Sequence, residues 1–327
     1  MLTNVALVGS PTRAEIQRLA IRLEERGCIP AVLDGRSDPR IEMGPDRVLA
    51  CGLDLSDLRG VYVADLGLSA AYVRTPEGRI DPEASRGALA RSRRQLVAWN
   101  TLFEHLAGRG VRVVNPPTAH DLHALKPFEM SVYASMGLPV PETIATSNPE
   151  VLVALGAPGT VAVRQWISKG MVGGYGYTES FDPPRDASAA RKRLAAGPRM
   201  VQERIEGDNC RAFVLGGRVV GVAEIISAAG SETDSRRGDI RVRRIVLPDD
   251  AQQDALRAAA RWGMPFSAVD FMRDERAGRF VLLECNSSPF FVNFEMATGC
   301  DISGALADFL LARSRVVTTE RHDGPTA

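Results

Sequence analysis

Short β-branched runs that alternate with longer segments of helical periodicity constrain this chain more than any other feature. Asn4 to Gly9 reads as a strand closed by Gly9-Ser10-Pro11, and Thr12 to Arg26 then carries Ile16, Leu19, Ala20 and Leu23 at helical spacing. Gly27 stops that helix, and Ile29 to Leu33 is a second strand. A β-α-β opening implies a parallel sheet covered by helices, because parallel neighbours need a crossover connection. Val61 to Ala64 adds a strand, Ser85 to Ala107 a long helix with Leu89, Leu96, Val97 and Leu106 turned inward, and Val111 to Asn115 a strand closed by Pro116-Pro117. The Gly9-Ser10-Pro11 turn lacks the GxGxxG spacing, so neither a nicotinamide site nor hydride chemistry is expected.

Beyond that point the pattern changes. A helix from Ala119 to about Met136 precedes an extended segment, Thr143 to Thr146, and a second helix around Pro149 to Leu155. Strand Val161 to Trp166 leads into Lys169-Gly170-Met171-Val172-Gly173-Gly174-Tyr175-Gly176, and strand Met200 to Ile205 follows. Cys210 to Leu215 and Arg218 to Ile226 flank Gly216-Gly217, a two-residue hairpin signal. Ser227 to Asp239 reads as a polar loop, Asp249 to Gly263 as a helix, Ser267 to Arg273 and Arg279 to Cys285 as a last hairpin, and Ile302 to Arg313 as the final helix.

Composition removes several function classes. Forty basic residues balance forty acidic ones, so no nucleic-acid partner is implied. No apolar run approaches the roughly 18 to 20 residues needed to span a bilayer, and the start lacks a signal peptide's basic region. Five cysteines without a CxxC suggest neither a disulfide framework nor a zinc site and fit a reducing cytoplasm. Only three of the forty basic residues are lysines, Lys126, Lys169 and Lys192, which draws attention to each of them.

The strongest chemical signal lies in the last hairpin. Glu284 and Asn286 are two apart on one strand and so share a face, and the hairpin can set Asp270 opposite them. Two carboxylates and an amide are hard oxygen donors suited to Mg2+, and a cation would offset the cost of placing carboxylates among Val269, Phe271, Leu282 and Leu283. An ordinary hairpin with exposed acids is the competing reading. The glycine-rich loop can wrap phosphate oxygens with its backbone N–H groups while Lys169 supplies charge. His120 and His123, spaced i,i+3, read as surface residues, and Cys285 as a core thiol.

The run Leu282-Leu-Glu-Cys-Asn-Ser-Ser-Pro followed by Ala297-Thr-Gly-Cys-Asp-Ile-Ser-Gly resembles the C-terminal signature of ATP-grasp ligases. The RimK-like branch and the graspetide synthetases are the nearest in pattern, and the likeness covers roughly Val113 to Leu311. It implies an α/β protein: an N-terminal Rossmann-like pre-ATP-grasp domain (1–115) followed by a two-subdomain ATP-grasp fold. The subdomains would be 116–205, with the glycine-rich lid, and 206–317, with the metal site, before a tail at 318–327.

Carried over residue by residue, Asp270, Glu284 and Asn286 match the metal ligands, for two Mg2+ ions or Mn2+ in their place. Lys126 and Arg164 match the two phosphate-binding positions, with Arg164 standing where the family has lysine. Lys169, Gly170, Gly173 and Gly174 fall in the lid. Gln202, Glu203 and Ile205 match the hinge that reads adenine, and Asp208 a ribose or substrate contact. Arg211, which could instead pair with Glu224 across the hairpin, takes the arginine position, and Thr233-Asp234-Ser235-Arg236 is similar to a substrate-facing Asp-x-Arg element.

The implied activity is ATP-dependent ligation through an acylphosphate. The implied partners are ATP, a carboxylate and an amine or hydroxyl nucleophile, on an amino acid, peptide or protein, in a homo-oligomer. The rival expectations are a Mg-ATP phosphotransferase and a nucleotide-binding regulator without turnover. Six arginines between Arg74 and Arg94, against Glu77, Asp81 and Glu83, could dock an acidic peptide or form a solvated helix face.

Overall fold

The computed structural model describes residues 4–36, 40–44, 47–66, 73, 75–121, 125–156, 165–169, 178–195, 197–227 and 240–312. It divides into two compact units, Met1–Val114 with Leu306–Ala327, and Asn115–Ala305. No helix among the described residues is long and apolar enough to cross a membrane.

The first unit runs β1 (Val5–Val8), α1 (Ala14–Glu24), β2 (Ala31–Leu33), β3 (Ile41–Met43), β4 (Val48–Ala50), β5 (Leu53–Asp54), β6 (Gly60–Val63), α2 (Pro82–Gly108) and β7 (Arg112–Val114). Its main sheet has the order β2-β1-β6-β7 with every pairing parallel, as the β-α-β opening implies. All residues of β1 and β6 are buried, the pattern of strands covered on both faces. Helix α1 turns Ile16, Leu19 and Leu23 inward.

Helix α2 corrects the inward set read from sequence. Leu106 is buried as expected, but Leu89, Leu96 and Val97 are exposed, and the helix buries Trp99, Leu102 and Phe103 in their place. Residues 82–98 of the helix are intermediate or exposed, and its buried face begins at Trp99. The meander β3-β4-β5 is absent from the sequence reading because strands of two or three residues are too short to show a period.

The second unit runs α3 (Pro117–Asp121), α4 (Lys126–Ser135), β8 (Thr143–Thr146), α5 (Pro149–Ala154), β9 (Trp166–Lys169), β10 (Glu179–Phe181), α6 (Ala187–Leu194), β11 (Arg199–Glu203), β12 (Gly207–Leu215), β13 (Arg218–Ser227), β14 (Ile240–Arg244), α7 (Asp249–Arg261), β15 (Phe266–Asp274), β16 (Arg279–Asn286) and α8 (Val292–Thr298). Helix α9 (Ile302–Leu311) carries the chain out of it. The helix expected over Ala119 to Met136 is two helices, and Pro127 sits in the opening turn of α4, where its missing N–H costs nothing.

Two antiparallel sheets result, β10-β9-β11-β8 and β14-β13-β12-β15-β16. The β12–β13 turn is Gly216-Gly217, both at positive φ (55° and 76°), as the hairpin signal requires. Strand β14 extends the second sheet beyond the hairpins expected from sequence. Helix α7 buries Ala251, Ala255, Ala258 and Ala259, small side chains that allow close approach to that sheet. The resulting core gathers Cys210, Ala212 and Val214 of β12 with Val269, Phe271, Leu282 and Cys285 of the last hairpin.

Candidate functional site

The row of interest crosses the five-stranded sheet. Glu284 on β16 stands opposite Asp270 on β15, and Asp270 stands opposite Arg211 on β12, so three charged side chains occupy neighbouring strands in one register. Strand alternation explains why they share a face: Cys210, Ala212, Val269 and Cys285, their chain neighbours, enter the core on the opposite side. A register shift beside Phe271 pairs it with Leu282 and leaves Leu283 unmatched, so Leu282 stays in the core while Glu284 emerges. Such bulges re-aim side chains.

Asn286 joins the row by donating from Nδ2 to Asp270 Oδ2 at 3.1 Å and to Glu284 Oε1 at 3.3 Å. Asp270, Glu284 and Asn286, expected together from their spacing, therefore converge. Among the described residues no three His, Cys, Asp or Glu stand close enough to hold a metal, so the candidate set is two carboxylates and one amide. That donor chemistry, hard and oxygen-rich, fits Mg2+.

Each carboxylate also has a basic partner. Arg211 meets Asp270 in a two-pronged pair, Nε to Oδ1 at 2.6 Å and Nη2 to Oδ2 at 2.8 Å, and its guanidinium lies over the Phe294 ring, 5.1 Å from the centroid. Burial works against that charge, yet the adjoining Asp270 outweighs it and holds the guanidinium above its ordinary pKa. The pairing with Glu224 considered from sequence is not formed: Glu224, buried on the other face, meets Arg243 at 2.9 Å and Arg273 at 3.1 Å. Lys126, at the start of α4, bonds Glu284 through Nζ.

Asp208 does not join the row. It lies on the Cys210 face of β12 and pairs with Arg273. Gln202 and Glu203 belong to β11 of the four-stranded sheet: buried Gln202 donates to Thr143 Oγ1 at 2.9 Å, and the Glu203 backbone N–H donates to the Glu142 carbonyl at 2.8 Å. Ile205 follows that strand and is half-buried. Lys169 is the last residue of β9. Arg164, Gly170, Gly173, Gly174 and Arg236 lie outside the described residues, as do residues 161–164 of the strand expected over Val161 to Trp166, whose last residue opens β9.

Sequence reasoning misses several residues that shape the site. Buried Asn115 accepts from Phe266 N–H at 3.1 Å and donates to the Phe266 and Ser287 carbonyls, joining the start of β15 to the residue after β16. His120, read as a surface residue, places Nδ1 3.3 Å from Ser287 Oγ. Glu129 is buried on α4 one turn after Lys126, and burial, reinforced by nearby Glu284, pushes its carboxyl up to about 7. The available signal for Glu129 was an acid next to Met130 and one turn before Tyr133, on the apolar side of a helix.

Residues 188–310 match the model of the RimK-like ATP-grasp domain. This part of the chain is similar to a RimK-like ATP-grasp domain. It contains Arg211, Asp270, Glu284 and Asn286, while Lys126 precedes it. A probable alpha-L-glutamate ligase of Aliivibrio fischeri (strain MJ11) is 32% identical over 114 residues, 34% of this chain and 37% of that protein. The tetrahydromethanopterin:alpha-L-glutamate ligase of Methanosarcina acetivorans is 28% identical over 188 residues, 54% of this chain and 58% of that protein. The chain thus spans well under two thirds of the curated relatives it matches first.

Solved structures extend the likeness over nearly the whole chain. The ATP-grasp ligase PsnB, complexed with a phosphomimetic variant of its minimal precursor, Mg and ADP, is 26% identical with a TM-score of 0.80, covering 96% of this chain and 99% of its own. The macrocyclase MdnC of Microcystis aeruginosa MRC, bound with precursor peptide MdnA, has a TM-score of 0.73 at 19% identity, covering 94% and 99%, a likeness of fold alone. The mixed α/β ATP-grasp fold expected from sequence is therefore present.

Proposed function

We propose that this chain is an ATP-dependent ligase that activates a carboxylate as an acylphosphate and passes the acyl group to an amine or hydroxyl, releasing ADP and phosphate. The observation that carries the reading is the row Arg211, Asp270, Glu284 with Asn286 and Lys126 beside it, the row lying in the part similar to a RimK-like ATP-grasp domain. Asp270, Glu284 and Asn286 would hold Mg2+, which when bound neutralises phosphate charge. Phosphoryl transfer asks the protein mainly for positioning and charge compensation. Lys126 reaches Glu284 and is in place to exchange that partner for a phosphate oxygen. Arg211, held by Asp270, is the donor assigned to the tetrahedral oxyanion in the second step. Met1–Val114 is assigned the role of the Rossmann-like pre-ATP-grasp domain, and the segment after Lys169 that of the lid.

A peptide is the favoured carboxylate substrate. Supporting this, the ATP-grasp ligase PsnB, whose structure is named with a minimal precursor, aligns with 96% of this chain at 26% identity and a TM-score of 0.80.

The test is an ADP-release screen over candidate peptides and amino acids with hydroxylamine present. The expected result is ADP formation that requires a carboxylate acceptor and yields a hydroxamate; phosphorylation of an acceptor lacking any carboxylate would overturn the ligase reading. Glu284→Ala should abolish that ADP release while circular dichroism stays unchanged, and unaltered release by the folded variant would contradict the metal assignment.

A further inference from the structure

Among the described residues strand β16 is the edge of its sheet, with a partner strand on one side of its backbone only. Two groups from outside the sheet cover the other side. The Leu282 N–H donates to the Pro139 carbonyl at 2.7 Å, and the Cys285 N–H donates to Glu129 Oε1 at 2.8 Å. The second bond lies between Glu284 and Asn286, just past the point where the β15–β16 register shifts. A backbone N–H in this buried position needs an acceptor, and no main-chain carbonyl takes the role.

Glu129 is itself held. Tyr133 donates from its hydroxyl to Glu129 Oε1 at 3.0 Å, and Trp262 Nε1–H donates to the Tyr133 oxygen at 2.9 Å. Glu129 and Tyr133 are 2% and 0% exposed. Helix α4 thus grips two successive residues of β16: Lys126 takes the Glu284 carboxylate and Glu129, one turn later, takes the next peptide N–H.

We propose that Glu129 is a positioning residue, whose hydrogen bond to the Cys285 N–H fixes the aim of Glu284 and Asn286 and so sets the affinity of the site for Mg2+ with a bound nucleotide. The inference rests on the reading of Asp270, Glu284 and Asn286 as the cation-holding set. What matters is the acceptor oxygen. A glutamine supplies one in the same place, whereas a methionine of similar length does not.

The experiment measures ADP binding to the full chain by calorimetry, with Mg2+ and with EDTA, for wild type, Glu129→Gln, Glu129→Met and Tyr133→Phe. Removing an outer partner of a metal ligand typically weakens metal affinity by about 10- to 100-fold. Glu129→Met should therefore lose about tenfold or more of the Mg2+-dependent affinity and leave the EDTA value within about twofold, and Glu129→Gln should restore most of the loss. Tyr133→Phe, which keeps the ring and frees Glu129, should show a smaller loss of the same kind, and it decides the matter if Glu129→Met fails to fold. Mg2+-dependent affinity equal to wild type in Glu129→Met, or in Tyr133→Phe where the methionine variant is unfolded, would overturn the positioning role alone. A glutamine variant as weak as the methionine one would do the same. Wild type showing no gain from Mg2+ would instead overturn the reading of the cation site, and this inference with it.

Discussion

Arg211 and Asp270 show how strongly single residues are committed in this sheet. Asp270 is 6% exposed, and its carboxylate tolerates that burial because the guanidinium answers both oxygens. Removing one member of a buried pair leaves the other charge uncompensated, at a cost of about 3 to 5 kcal/mol. Arg211→Met should therefore lower the denaturation midpoint by an amount equivalent to that cost, whereas Arg211→Lys, which keeps the charge but not the fork, should remain folded and lose about 10²- to 10³-fold in turnover. Chemical denaturation and single-turnover kinetics separate the two effects; a lysine variant with wild-type turnover would remove Arg211 from the chemistry. Asp270, Glu284 and Asn286 were legible from their spacing in apolar strands, whereas the roles of Arg211 and Lys126 were marked only by the family resemblance. Glu129 was missed because its only local signal, an acid on the apolar side of a helix, does not say which distant group it meets.

At the scale of elements, the antiparallel pairing of β12 with β15 sets the row, and its entry depends on one glycine. Gly207 opens β12 at φ 146°, and a Cβ there would lie 1.8 Å from the Arg273 carbonyl oxygen. Gly207→Ala should cost about 2 to 4 kcal/mol, since backbone strain and a main-chain clash combine. It should also weaken nucleotide binding by shifting β12 against β15, which amide exchange at Ala212 and Phe213 would report; unchanged exchange and stability would show that the close approach is dispensable. The strongly periodic elements, β1, α1, α7 and the two hairpins, were readable from the chain. Strands β3 to β5 and β14 were not, being too short or too polar to carry a period. For α2 the period was visible but its phase was only partly so, because Leu106 is buried while Leu89, Leu96 and Val97 are exposed.

For the molecule as a whole, the return of the chain through α9 is the long-range feature with most consequence. Leu306 and Leu310 are fully buried and grouped with the N-terminal residues, Arg26 grips Asp308 with bonds of 2.6 and 3.2 Å, and Arg112 stacks on Phe309 at 4.4 Å. Gly60 admits this helix end, as a Cβ there would lie 2.7 Å from the Leu310 carbonyl oxygen. A chain ending at Ala305 loses two core leucines, each worth about 2 to 5 kcal/mol when truncated, and should melt first in its N-terminal unit. A thermal scan followed by Trp99 fluorescence would detect that early transition, and its absence would show that the N-terminal unit stands without α9.

Local pattern by itself determined the alternation of strands and helices, the hairpin turns, and the face on which Glu284 and Asn286 lie, because each follows from neighbours within a few positions. Only the tertiary structure decided that Arg211 meets Asp270 and not Glu224, that Asp208 turns away, that Glu129 caps an edge strand, and that α9 returns to the first unit. Those outcomes depend on register and on contacts between residues far apart in the chain, which short-range periodicity does not encode.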